Sequence, residues 1–473
     1  MQESFIDRSL AIGVASFGVF SFSNLNAANN TKPNIIVILA DDLGYHDLGF
    51  QGAGLIKTPN IDKLAKGGMV FNDGHVSASV CGPSRAGFMT GRYQQRFGYQ
   101  ANCPPYGKGM VTTETTIAQA LKGIGYSTAA FGKWHLGDLK KHYPTNRGFD
   151  EFWGFREGSR HYFYNPNKDD RKNSSRAIEH NGEHVKFDGY LTDWLADRAS
   201  DYIDKNADNP FFMYVAFNAP HAPFEAKKED LEKFKNNVYA AMVWSLDEAV
   251  GRIVKTLEKH SLMENTMIWF FSDNGGIARL ASSTPLNGTK GSLLEGGMRV
   301  PFFLHWEGKI KPGSEYNETV SSIDIFPTVF AANNVKPKTN KPLDGVNILP
   351  YITGEKSGQP HKVLTWKRQN IAAVRVGDWK LIRVDGKHYA LYNLKKDLSE
   401  ESNLINENPE IAENLRKRLE GWESELAEPL WTEPKKWDNW RTNLHLSAFS
   451  GERVECATAL DKYDPRKKNK KKK

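Results

Sequence analysis

Four runs along this chain share one layout: an apolar stretch of strand composition that ends directly in polar residues able to do chemistry. Asn34–Ala40 runs into Asp41-Asp42, and 126–132 into Lys133-Trp134-His135. Residues 211–217 run into Asn218-Ala219-Pro220-His221, and 267–272 into Asp273-Asn274-Gly275-Gly276. Strands this continuously apolar are covered on both faces, which predicts an α/β fold with a large, mostly parallel or mixed sheet between helices. Ligands in such sheets bind beyond the carboxyl ends of the strands, so the four polar ends are expected to converge on one rim. Helical spacing fills the gaps at 61–68, 116–123, 191–206 and 238–260. In the last of these Met242, Leu246, Val250, Ile253, Val254 and Leu257 line one face, which reads as core packing.

From about Leu349 the texture changes. Short strands at 363–366, 372–376, 380–384 and 390–393 are separated by turns such as Gly377-Asp378 and Asp385-Gly386, and a charged helix follows over 409–426. This predicts a smaller C-terminal α+β subdomain with an antiparallel sheet. The expected organisation is a leader over 1–28, a catalytic domain over 29–348, the subdomain over 349–460 and a basic tail over 461–473.

Composition changes this picture in two places. The formal charge of +7 comes from the final eight residues, which hold seven positive charges, so the remainder is neutral. Such a block reads as a solvated tail, with contact to anionic glycans or a membrane surface as the other reading. With no zinc spacing and no basic face interleaved with aromatics, nucleic acid is excluded as substrate. At the other end, Arg8 precedes an uncharged, mostly apolar run over 9–22, with small residues at Ala27 and Ala28. That pattern predicts a signal peptide and an exported, periplasmic or secreted protein. It is too short for a span of about 20 residues, and no other segment could cross a bilayer.

The candidate chemistry centres on Val80-Cys81-Gly82-Pro83-Ser84-Arg85. Pro83 suits the first turn of a helix, which places Cys81 at a helix N-terminus where backbone N–H groups favour an anion. Arg85 lies one turn further on, within reach of the thiol. A buried structural thiol beside a turn is the alternative. Asp41-Asp42 and Asp273-Asn274 put three carboxylates and an amide oxygen at two strand ends, a hard-cation set suited to Ca²⁺ or Mg²⁺. Both aspartates of the first pair can meet one ion only if the strand breaks, which Gly44 would permit. Turn chemistry is the alternative for either pair alone. Lys133 and His135 would point the same way from extended backbone, His221 is flanked by prolines, and Lys290 lies in a glycine-flexed loop. Singly, each histidine reads as a structural hydrogen-bonder and each lysine as a surface charge.

Cys-x-Pro-Ser-Arg, followed by Met89-Thr90-Gly91-Arg92, resembles the maturation motif of the formylglycine-dependent (type I, Cys-type) sulfatases of the alkaline phosphatase superfamily. Gly-Lys-x-His at 132–135, Pro220-His221, Asp273-Asn274-Gly275 and the loop around Lys290 match the family in order. The stretch from Leu391 to Leu404 is similar to its C-terminal subdomain, so the resemblance covers nearly the whole mature chain. It implies an alkaline phosphatase-like fold and a sulfuric ester hydrolase whose Cys81 is oxidised to formylglycine by a maturation enzyme. Asp41, Asp42, Cys81, Asp273 and Asn274 would hold the cation, most often Ca²⁺. Lys133 and Lys290 would clamp sulfate, His135 act as base, His221 protonate the leaving alcohol with Lys290, and Arg85 orient the nucleophile. A serine sulfate ester would wait for water. A geminal diol attacks with one hydroxyl, and deprotonating the other expels sulfate and restores the aldehyde.

His46 stands where the family usually has glycine. It is expected, with Arg160 and His161, to contact substrate, most plausibly a sulfated sugar, and the loops 99–108 and 158–163 suit sugar stacking. If Cys81 is consumed, Cys103 and Cys456 remain as a pair that could bridge. The rival readings are a phosphodiester or phosphonate monoester hydrolase of the same superfamily, and a catalytically silent glycan-binding protein.

Overall fold

The apolar runs form the centre of a ten-stranded mixed sheet. The structure, a computed structural model, describes residues 32–54, 56–102 and 107–454. The expected leader, Cys103, Cys456 and the basic tail lie outside the described residues. Five adjacent parallel strands make the middle of the sheet, in the order Thr266–Ser272, Asn34–Ala40, Phe211–Ala216, Ser127–Lys133 and Glu151–Phe155. Phe302–His305 pairs antiparallel with Thr266–Ser272, and Met69–Phe71 pairs antiparallel with it in turn, so the sheet is mixed at that edge.

The central strand shows why the pattern reads as it does. Ile35, Val37 and Leu39 enter the core on one face, while Ile36, Ile38 and Ala40 enter a second core on the other. Helices Leu191–Asn206 and Val238–Lys259 cover the second face, and Cys81–Thr90 and Ile325–Ala332 cover the first. Ile117–Lys122 also lies on the first face and starts on a capping box between Thr116 and Gln119. Among the described residues no helix is long and apolar enough to cross a membrane.

The C-terminal part is a separate four-stranded antiparallel meander, Val363–Arg368, Ile371–Val376, Trp379–Val384 and His388–Asn393. Its last turn spans three residues, with Asp385 and Gly386 both at positive φ and the Lys387 N–H donating to the Val384 carbonyl at 3.1 Å. Helix Pro409–Glu423 covers one face, ending three residues before the expected 426. The other face is covered by Lys435–Phe449, a helix with no counterpart in the sequence reading. Its buried residues, Arg441, Leu444, His445 and Ala448, keep helical spacing. Two of those four are ionisable, so no apolar stripe shows. This face also packs on Leu293, Leu294 and Met298, just beyond Lys290.

Candidate active site

The polar ends of the four central strands meet at one rim, and the N-terminus of the Cys81–Thr90 helix points into it. Cys81 opens that helix behind an extended Val80, and Asn102 Oδ1 accepts from the Gly82 N–H at 3.0 Å. The thiol is buried. Sγ lies 3.4 Å from Asp41 Oδ1 and 4.0 Å from Asp42 Oδ1, and Lys290 Nζ donates to it at 3.2 Å. Burial and the Asp273 carboxylate push this thiol up, yet Lys133 and Lys290 bring it down to about 7.

The first aspartate pair is splayed by backbone geometry. The strand ends at Ala40 and Asp42 takes φ 68°, so the break comes at Asp42 itself and not at Gly44. Gly44 serves close packing instead, since a Cβ there would stand 2.3 Å from the Ser282 carbonyl oxygen. Asp41 Oδ2 pairs with Lys133 Nζ at 2.5 Å, and Asp42 Oδ1 with Lys290 Nζ at 2.6 Å. Arg85 binds Asp273 through Nε at 2.9 Å and Nη2 at 2.8 Å, and donates to the Lys133 carbonyl at 2.8 Å. Tyr214 hydroxyl lies 3.4 Å from its Nη1. A tyrosine inside an apolar strand reads as core; its phenol facing the rim is the signal that the sequence reading missed.

Two histidines face each other in charge state. His221 Nδ1 donates to the Ala222 carbonyl at 2.5 Å, which leaves Nε2 toward Asp42 Oδ2 at 3.5 Å. Burial works against its protonation, but Asp41 and Asp42 raise its pKa above the ordinary range. His135 lies where the backbone turns at φ 57°, so it does not continue the strand from Lys133 as expected. Burial and the neighbouring Lys133 and Arg85 hold it well below the ordinary range, a neutral imidazole. Tyr162 hydroxyl bonds both the Asn218 and His221 carbonyls, at 2.6 and 2.8 Å, and fixes the loop that carries His221.

The donor set fits a cation. Asp42 Oδ2 and Asn274 Oδ1 are buried oxygens that accept no hydrogen bond, while Asn274 Nδ2 donates to Asp42 Oδ1 at 2.8 Å. Burial and the adjacent Asp41 raise Asp273 to about 6, and burial likewise raises Asp41. Carboxylates this close in a dry site cannot all carry charge without cations beside them. Asp41, Asp42, Cys81 and His221 present ligand atoms within 4.8 Å of one another.

The expected substrate contacts are dispersed. Arg160 is buried and closes a two-bond pair with Asp170 at 2.9 and 3.0 Å, so it braces the fold. His161 is partly exposed and its Nδ1 bonds Glu225 at 2.6 Å. His46 rests its ring against Gly52. What opens beside Lys290 and His221 is a cleft of about 450 Å³. Its far wall comes from the C-terminal segment, with Trp431, Trp437 and Trp440.

A double-covered α/β sheet whose strand ends gather a thiol at a helix N-terminus, two lysines and two histidines of opposite charge state is a frame able to hold an oxyanion ester. The sulfatase family model matches residues 33–335, and a model described as "N-sulphoglucosamine sulphohydrolase, C-terminal" matches 289–425. The chain belongs to the sulfatase family and is a sulfuric ester hydrolase with an alkaline phosphatase-like fold. It is 31% identical to the uncharacterized sulfatase YdeN of Escherichia coli (strain K12), over 84% of this chain and 86% of that protein. It is 32% identical to N-acetylgalactosamine-6-sulfatase of Canis lupus familiaris, over 76% of this chain and 74% of that protein. The crystal structure of Ps i-CgsB superposes with a TM-score of 0.81 at 39% identity, covering 87% of this chain and 98% of the other. A second structure of Ps i-CgsB, in complex with k-i-k-neocarrahexaose, matches to the same degree.

Proposed function

We propose that this chain is an exported enzyme that removes sulfate from a sulfated oligo- or polysaccharide, with Cys81 matured to formylglycine and a divalent cation, Ca²⁺ before Mg²⁺, at the rim. The observation that carries this reading is the position of Cys81 Sγ, at a helix N-terminus between Asp41 and Lys290 and beside two buried oxygens without hydrogen-bond partners. When present, the oxidised side chain supplies a nucleophilic hydroxyl, and a cation held by Asp41, Asp42, Asp273 and Asn274 offsets its charge.

Lys133 and Lys290 present ammonium groups to sulfate oxygens inside a dry pocket, where such charges act most strongly. His221, held protonated, gives the Nε2 proton to the departing alcohol, while Lys290 neutralises charge beside it. His135, held neutral, takes a proton. Arg85 is locked between Asp273 and the Lys133 carbonyl and fixes the geometry in which the others work. The neocarrahexaose bound by Ps i-CgsB, together with the aromatic cleft beside Lys290, supports the saccharide class.

The test is sulfate release from a sulfated neocarra-oligosaccharide, with an aryl phosphodiester in parallel. Sulfate release that stops on chelation and returns with Ca²⁺ supports the reading. Activity indifferent to chelation, or confined to the phosphodiester, overturns it.

A further inference from the structure

The cleft next to the clamp has a charge pattern that separates it into two ends. His221 and Lys290 stand at the rim end. Among the described residues that line it, the other charged side chains, Arg368 and Glu433, are closed on each other: Arg368 Nη2 meets both Glu433 oxygens, at 2.9 and 3.0 Å. Arg441 binds Glu433 from behind. The far wall offers aromatic faces, with the exposed Lys436 ammonium 5.8 Å from the Trp437 ring centre.

That wall is rigidly placed. Trp431 donates to the Asn102 carbonyl at 2.9 Å and stands edge-on to Tyr99, ring centres 4.8 Å apart. Trp440 lies against Gly291, where φ is 92° and a Cβ would stand 2.9 Å from the indole. Trp437 meets Trp440 edge-to-face at 6.0 Å and stays partly exposed. Trp440 thus sits against the residue next to Lys290, and the three indoles line the same cleft as Lys290 and His221. Indole faces stack on the C–H faces of sugar rings, and such contacts need no charge.

We infer that the Trp437–Trp440 wall is a subsite for a sugar ring linked to the ring whose ester is cut, which makes the C-terminal segment a determinant of specificity. This rests on the proposed saccharide sulfatase activity. The chemistry of the subsite is stacking and hydroxyl contact.

The experiment compares the matured full-length protein with Trp437→Ala and Trp437→Phe on k-i-k-neocarrahexaose and on a small aryl sulfate. For Trp437→Ala, kcat/KM on the oligosaccharide relative to the aryl sulfate falls about tenfold, with the loss in KM, and Trp437→Phe restores most of it. A second arm titrates chemically desulfated neocarrahexaose against the Cys81→Ala protein, read by calorimetry. Binding is expected, and expected to weaken in Cys81→Ala/Trp437→Ala. An unchanged substrate ratio, or equal binding of the desulfated sugar with and without Trp437, overturns the inference. If instead the sulfatase reading is wrong, neither ester is cleaved, while the binding arm still reports on the wall.

Discussion

At the scale of single residues, the rim is a balance of buried charges. Lys290 is the hinge of that balance, 2.6 Å from Asp42 and 3.2 Å from Cys81 Sγ. If Lys290 clamps sulfate as proposed, Lys290→Met lowers kcat roughly 10²–10³-fold, the usual cost of one oxyanion donor. In unmatured protein the same change removes a cation that lowers the Cys81 thiol to about 7, so its pKa rises and alkylation by iodoacetamide at neutral pH slows. Alkylation as fast as in the unsubstituted chain would contradict the assignment. The polar residues at strand ends that meet at the rim were legible because an apolar run stops at them. Tyr214 and Tyr162 were not, since a phenol inside an apolar context looks like core until its hydroxyl is seen bonded. Arg160 failed in the opposite way: an arginine in an aromatic loop resembles a ligand contact, but Asp170 claims it.

At the scale of elements, the helix Lys435–Phe449 holds the Lys290 loop from outside. His445 Nε2 accepts from the Leu293 N–H at 3.0 Å, and its Nδ1 donates to the Arg441 carbonyl at 2.7 Å. This pair of bonds needs a neutral imidazole. Burial, with the positive charge of Arg441, Lys380 and Arg368, holds it down at about 4, against an ordinary 6.5. The unfolded chain therefore takes up this proton first as pH falls. The stabilisation is complete above about pH 6.5 and is lost on going toward pH 4, up to about 3 kcal/mol. Urea unfolding at pH 7 and pH 5 is expected to show a smaller stability difference for His445→Gln than for the unsubstituted chain. Equal differences would contradict this role. The helix itself escaped the sequence reading because its inner stripe includes Arg441 and His445, ionisable residues that read as solvent-facing until Glu433 and Asp438 are seen on the one and the Leu293 N–H on the other. The four parallel strands were legible because every residue of the central one is buried, which leaves no alternation to confuse with an exposed edge.

At the scale of the whole molecule, the large sheet and the small meander are joined by a buried charge network. Lys380 Nζ, fully buried, meets Glu295 at 2.8 Å and Glu400 at 2.9 Å, while His75 Nε2 bonds Glu295 at 3.0 Å. Arg375 reaches across to Asp73 at 2.8 Å. Lys380→Met leaves Glu400 buried without its cation and Glu295 with His75 and the nearby arginines alone, and is expected to cost about 3–5 kcal/mol. Thermal unfolding should stay a single transition at lower temperature, because the network belongs to both parts; a stable large sheet with a separately melted meander would contradict it. None of these partners could be paired from sequence, where Asp73, Glu295 and Lys380 are isolated charges on separate segments.

The account stands on what occupies position 81 in the active enzyme, and the mass of the proteolytic peptide that contains it reads this directly. Purified active protein is alkylated and digested. A peptide that has lost one sulfur and two hydrogens, gained one oxygen and resisted alkylation is the predicted result. A fully alkylated Cys81 peptide, from protein that cleaves sulfate esters at full rate, would contradict it.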